Sequence, residues 1–415
     1  MKTRIMFLVI LFGFVPTTVY PMGLSPARAV AMGGAYTGLA KGVYAPLYNP
    51  ANIGLSGYQE IGIELVGVGA ELSNNSFTLD DYNDYTDVIL TEEDKSTILG
   101  KIPAKGLKVT SDIEVSLMSL SMGPFVLSIN GNAAAEINLG KDALELFMEE
   151  NALVDTFSLD GRYNQAIAYA SAGLSYGTSI YKSGTRQLAV GATFKYIRGL
   201  GYGKVTELSG SGRVDTLMPG YEGEGTMIAQ TATGGSGYAV DIGTALKLSD
   251  SYTAGVAFIN ILSSITWDKD TEEHRSYFQF NTIETLDDID IEGSDEDPIE
   301  IPSFKSNLPT VMKVGLANIS GKLLWAVDWE QGFKQAAGVS SKPRLSAGAE
   351  YRLIGFLPLR AGYSIGGGKG SVISGGLGFD LSLFYLDLAV SNHGGFNFGE
   401  KSKGIHLAVS TGLRF

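Results

Sequence analysis

The chain has 415 residues, 44% hydrophobic and 18% charged, with 54 glycines, 20 tyrosines, no cysteine and a formal net charge of -13. Soluble domains usually carry about 25% charged residues and about 7% glycine, so a water-facing α/β surface fits poorly. The missing cysteine excludes a disulfide framework, a thiolate metal site and an acylated cysteine anchor. An acidic balance without a Lys/Arg cluster argues against a nucleic-acid surface.

Lys2 and Arg4 precede an apolar run from Ile5 to Val15, the pattern of an export signal and too short for a spanning helix of about 20 residues. A cut between Thr18 and Gly23 is expected, with 1–22 as the signal peptide, although Ala27-Arg28-Ala29 also reads small-x-small. No later apolar stretch is long enough for a transmembrane helix, so a membrane location must come from strands.

Residues 23–57 form a second unit, rich in Gly, Ala and Pro, with only Arg28 and Lys41 charged. Its apolar residues, among them Val30, Met32, Leu39, Val43, Ile53 and Leu55, would be costly in water. A plug folded inside a lumen is expected, with a loose extension as the alternative.

From residue 58 to 415 the pattern alternates with period two. In Lys322 to Glu330, Leu323, Trp325, Val327 and Trp329 point one way and Leu324, Ala326, Asp328 and Glu330 the other. Leu345 to Leu353 and Ile405 to Phe415 repeat this. Strands read as Tyr58–Leu72, Ile113–Met122, Pro124–Ile137, Arg162–Tyr181, Arg186–Val214, Glu222–Leu248, Tyr252–Trp267 and seven more to Phe415, about fourteen in all. Short connections alternate with longer ones, notably Ser73 to Asp112, Asn138 to Gly161 and Asp268 to Asn307. An even strand number with tight turns at one end predicts an all-β fold: a transmembrane antiparallel β-barrel of about fourteen strands with an N-terminal plug. A soluble β-sandwich is the alternative. Tyr176, Tyr181, Tyr196, Tyr252, Trp267, Trp325, Trp329, Tyr351 and Tyr363 fall where interfacial girdles need them.

Met32-Gly33-Gly34-Ala35-Tyr36-Thr37-Gly38 followed by Tyr48-Asn49-Pro50-Ala51-Asn52-Ile53-Gly54 resembles the N-terminal hatch of the long-chain fatty-acid transporter (FadL/TodX-like) superfamily. Relatives include type IX secretion shuttles. The resemblance implies a fourteen-stranded barrel in which Gly33, Gly34, Asn49, Pro50 and Ala51 belong to the hatch. It also implies an inward kink in the third strand that opens a lateral path. Gly131-Asn132-Ala133-Ala134-Ala135 is the candidate kink, against an ordinary strand with small lumen-facing residues. Outer loops of the family supply a hydrophobic capture groove. Thr91-Glu92-Glu93-Asp94 reads as a capping box, and Asp142 to Val154 as an amphipathic helix that makes Leu144, Phe147, Met148 and Leu153 capture candidates. The bland alternative is that this apolar face packs on the barrel mouth.

Nine acids between Glu284 and Glu300 read as a solvated loop that would repel carboxylates, with a divalent-cation site as the alternative. Only His274, His393 and His406 are histidines, and no enzyme, cofactor or metal motif is present. Gly366-Gly367-Gly368-Lys369-Gly370 reads as a loop between strands. Lumen charges, such as Glu350 or Asp328 with Arg352 or Arg360, are expected to pair. The function expected is passive uptake of small hydrophobic molecules (fatty acids, hydrocarbons or aromatics) through a monomeric, multi-pass outer-membrane barrel of a diderm bacterium. Its expected partners are outer-membrane lipid, the hydrophobic ligand and, through the strand ending at Phe415, the barrel-assembly machinery. The alternative is a non-transporting anchor or assembly partner of a secretion or surface-attachment system.

Overall fold

The computed structural model describes residues 26–86, 88, 90–148, 153–158, 164–215, 220–283, 292–295, 297–395 and 401–415. The signal peptide read at 1–22, and most of the acidic run at 284–300, lie outside them. Fourteen long strands make one wall: β1 (Gly62–Asn74), β2 (Leu107–Met122), β3 (Phe125–Leu139), β4 (Gln165–Ser183), β5 (Arg186–Asp215), β6 (Gly234–Lys247) and β7 (Tyr252–Lys269). They are followed by β8 (Val311–Ser320), β9 (Leu323–Gly332), β10 (Arg344–Ile354), β11 (Leu357–Gly366), β12 (Ser371–Leu381), β13 (Phe384–His393) and β14 (Gly404–Arg414). Each pairs antiparallel with the next. β14 closes on β1, from Gly62 opposite Arg414 to Ser73 opposite Gly404. No strand edge of the barrel is left open, the arrangement a hydrocarbon solvent demands of a sheet.

The alternation sorts residues as expected, but inside out relative to a soluble protein. Along β9, Leu323 and Val327 are exposed on the outer surface while Leu324, Ala326 and Asp328 are buried. β10 turns Leu345, Tyr351 and Leu353 outward and buries Ser346 and Glu350. β14 exposes Ile405, Leu407 and Val409 and buries Ala408 and Ser410. An exposed apolar belt with polar and charged groups inside suits lipid outside and a filled lumen inside. Tight turns, with Gly184 and Gly321 in the left-handed region at φ 57° and 59°, join β4 to β5 and β8 to β9.

Three expectations need correction. Trp267 is fully buried rather than in an aromatic girdle: it shares the inward parity of Thr253 and Ala257 and packs with Ile197, Ile265 and Tyr202, its Nε1 donating to Ser306 Oγ at 2.8 Å. The span read as Glu222–Leu248 is two strands. Gly220–Ala232 pairs with the far half of β5 and with Glu272–Ile283, while β6 pairs with the near half of β5. Alternation runs through both pieces and hides the change of partner. Tyr58 precedes β1, and its hydroxyl bonds Gly38 O and Thr253 Oγ1 at 2.9 and 3.0 Å, so it belongs with the N-terminal segment. Expectations for the loops fare better at the capping box, where Thr91 and Asp94 bond each other's backbone N–H at the start of helix Glu92–Lys101.

Val327→Arg places a charge on the outer face near the middle of β9. It is expected to cost about 2–4 kcal/mol in a folding titration into lipid vesicles. An unchanged midpoint would contradict a lipid-facing belt.

Candidate functional site

Residues 26–58 make short helical turns, Ala27–Ala31, Gly42–Tyr44, Ala45–Tyr48 and Pro50–Gly54, that cannot satisfy their own backbone. The inward-facing strand residues supply the partners. Asp328 Oδ2 accepts from Tyr36 N at 2.8 Å and Thr37 N at 2.7 Å. Ser410 Oγ accepts from Ala27 N at 2.9 Å, and Gln187 bonds both Ser56 N and Gly54 O. Tyr44 and Tyr385 share a hydroxyl hydrogen bond of 2.8 Å. Burial raises the Tyr44 and Tyr48 phenols well above their ordinary range, so both remain neutral hydroxyls.

Where the segment approaches the wall most closely the strands present glycine. A Cβ added at Gly243 would stand 2.0 Å from Asn49 Oδ1, at Gly191 2.4 Å from Pro50 O, and at Gly362 2.1 Å from Gly33 N. The two halves of the hatch motif therefore seat on different parts of the wall. Gly33 and Gly34, at φ 68° and 90°, lie against β10 and β11, where Arg344 Nη2 donates to Gly33 O at 2.9 Å. Asn49, Pro50 and Ala51 lie against β5, β6 and β7. Asn49 Nδ2 donates to Thr244 O at 2.9 Å while its Oδ1 accepts from Ala51 N at 3.0 Å.

Charges beneath the segment are paired, though not all as the sequence suggests. Arg28 and Arg360 flank Glu350, each Nε 2.8 Å from Oε2, and Arg360 Nη1 reaches Asp387 Oδ1 at 2.6 Å. This quartet is neutral in sum, the condition under which buried charges persist, and Arg352 adds a further contact, its Nε 3.7 Å from Glu350 Oε1 and its Nη2 3.6 Å from Asp380 Oδ2. Glu350 pairs with Arg360 as expected. Asp328 does not pair with an arginine; it caps backbone N–H groups of a segment 290 or so positions away.

Above the segment lies a cavity of about 340 Å³, floored by Pro46, Leu47 and Tyr48. Its apolar wall includes Ile113, Ile167, Ile197, Ile259, Leu308 and Val311. Charges interrupt that wall. Lys195 meets Asp241 at 2.8 Å and Asn260 Oδ1 at 2.8 Å. Asn260, left-handed at φ 53°, donates its N–H to Asp241 Oδ1 at 2.7 Å across a register shift between β6 and β7. Lys313 pairs with Glu330. Lys369, at the tip of the Gly366 to Gly370 turn, pairs with Glu71 and stands 3.6 Å from Asp112. Burial alone would lower the Lys369 ammonium, but the facing Glu71 and Asp112 carboxylates overcome this and raise it. With Glu114 and Arg344, five carboxylates face four Lys and Arg side chains, and the imidazoles of His393 and His406 lie beside Glu71. Among the described residues no His/Asp/Glu group is arranged to hold a metal ion.

The other predicted residues fall elsewhere. The ladder of β3 runs unbroken through Gly131 and Asn132 on both edges, opposite Val115 and Glu114 and opposite Ala170 and Tyr169. Every residue of β3 there keeps its cross-strand partner, and the register shift on its β2 edge, between Ser116 and Met118, falls opposite Asn130 and Ile129. Irregularity sits between β1 and β2. The register passes from Glu64 opposite Ser119 to Gly67 opposite Ser116, skipping Leu65, Val66, Leu117 and Met118, all exposed on the outer face. Leu144 and Met148, both half-buried, pack against the small loop core of Leu99, Ile102 and Leu107. The side chains of Phe147 and Leu153 lie outside the described residues. Sequence reasoning missed Arg344, Lys369 and Asn260 as site residues; Arg344 shares the inward parity of Ser346, which the alternation implied without marking it, and a strand bulge is invisible to a period-two count.

Asp328→Ala orphans two buried N–H groups, each costing about 1–3 kcal/mol. Hydrogen exchange at Tyr36 and Thr37 is expected to accelerate at least about ten-fold, with exchange in β12 and β13 unchanged; equal rates at Tyr36 and Thr37 in both proteins would refute the capping role.

In known structures the fold recurs. The toluene transporter TbuX of Ralstonia pickettii superposes with a TM-score of 0.51 at 13% identity, covering 95% of this chain and 98% of that one. A TodX monoaromatic hydrocarbon channel mutant gives 0.52 at 14%, covering 95% and 99%. A Pseudomonas aeruginosa FadL homologue gives 0.50 at 12%, covering 95% and 100%. At such identities the likeness speaks for the fold alone: a closed, FadL-like barrel of fourteen strands. No curated protein matches the chain. Residues 50–388 match the model described as DUF5723, a family of unknown function, and the chain belongs to that family.

Proposed function

We propose that this barrel is an outer-membrane channel for passive entry of small, largely apolar molecules into a diderm bacterium, closed at rest by residues 26–58 acting as a plug. The observation that carries this reading is the cavity of about 340 Å³ resting on Pro46, Leu47 and Tyr48, a size typical of small-molecule sites. The apolar outer belt supports the membrane location. The names of the structural neighbours as hydrocarbon transporters and channels agree with the substrate class.

The exit in this proposal is the irregular stretch between β1 and β2. Leu65, Val66, Leu117 and Met118 have no partner across the β1–β2 seam, although Val66 pairs with Thr411 and Met118 with Ile129 on their other edges, and their apolar side chains face outward. A ladder missing consecutive bonds opens at lower cost than the unbroken one at Gly131 and Asn132.

Because the chain has no cysteine, a Val66→Cys, Leu117→Cys pair, opposite by register, forms a unique reversible lock. In reconstituted vesicles, transfer of a fluorescent apolar probe is expected to fall when the pair is oxidised and to recover on reduction. Equal transfer in both states would overturn the lateral exit. Wild-type transfer no faster than in empty vesicles would overturn the channel reading and favour the anchor role.

A further inference from the structure

Resting on the channel reading, the inference here concerns what the cavity accepts. A plain hydrocarbon is a poor occupant, since it would leave polar lining without partners once water is expelled. Beside its apolar residues the lining carries the neutral polar side chains of Ser128, Asn130, Asn132, Thr193, Asn260 and Asn307. An organic anion is also disfavoured. Lys195, Lys313 and Lys369 are each held by a carboxylate, and carboxylates in the lining outnumber Lys and Arg by five to four. Of the four Lys and Arg side chains that line the cavity, Arg344 is the one outside the described ion pairs, and its Nη2 donates to two neutral oxygens, Gly33 O and Ser364 Oγ.

We infer that the cavity selects uncharged molecules with an apolar ring body and hydroxyl groups along one edge. A hydroxyl both donates and accepts. It therefore serves polar groups such as the Asn130 amide and the Arg344 guanidinium without adding charge, while the ring lies on Ile167, Ile197 and Leu308. Tyr48 and Tyr169 line the same space and offer aromatic faces to the ring.

The test compares naphthalene, dihydroxynaphthalene and naphthoate, one ring system in three chemistries, by fluorescence titration of the full chain in lipid nanodiscs with empty discs subtracted. Dihydroxynaphthalene is expected to bind at least about ten-fold more tightly than the other two. Naphthalene or naphthoate binding as tightly as the diol would overturn the inference. Asn130→Leu is expected to weaken the diol about two- to ten-fold while leaving naphthalene unchanged; unchanged diol binding would remove Asn130 from the site. Vesicle flux of the same three probes separates the two claims. Flux without a diol preference in binding keeps the channel and overturns the inference; a diol preference without flux does the reverse.

Discussion

A segment with almost no regular hydrogen bonding of its own lies against the inner wall of a barrel, and the wall supplies what the segment lacks. Buried N–H groups at Tyr36 and Thr37 would each be expensive if left alone, and one carboxylate oxygen of Asp328 accepts both. The same constraint explains the glycines. Close approach of the segment's backbone at Gly191 and Gly362, and of the Asn49 side chain at Gly243, leaves no room for a Cβ, so these wall glycines are fitted to what the lumen holds. Loose occupancy by a flexible tail would need neither the glycines nor the caps.

Electrostatics follow the same logic. Four charges, two of each sign, meet under the segment around Glu350, and Arg28 brings one of them from the N-terminal side. Removing either partner of such a pair leaves an uncompensated buried charge. Position Arg28 is thus fixed by the wall as firmly as by its own short helix. Above the segment the pairing continues at Lys195, Lys313 and Lys369, which is why the cavity, though ringed by charge, offers little net field to a charged visitor.

Much of this was legible in the sequence. Leu345 to Leu353 alternates cleanly, and β10 exposes and buries the residues in that order. Strand count, turn positions and the Thr91 capping box follow from local chemistry that needs no tertiary knowledge. Trp267 was not legible as a core residue, since proximity to a strand end says nothing of which face the parity selects. Nor was the partner of Asp328: alternation turns it inward, but only the folded segment decides that it meets backbone rather than arginine. Gly131 and Asn132 show the limit of composition, because small residues permit a kink without requiring one, and both keep partners on the two neighbouring strands. Irregularity at Leu65 and Leu117 carries no signal in residue type at all.

The central claim is that residues 26–58 close the barrel, and ion conductance of the purified protein in a planar bilayer tests it most directly. A side chain at Gly243 would collide with Asn49 Oδ1 at 2.0 Å. The wild-type barrel is expected to conduct weakly, and Gly243→Val to conduct severalfold more while retaining its strand content. Equal conductance of two equally folded proteins would contradict the plug.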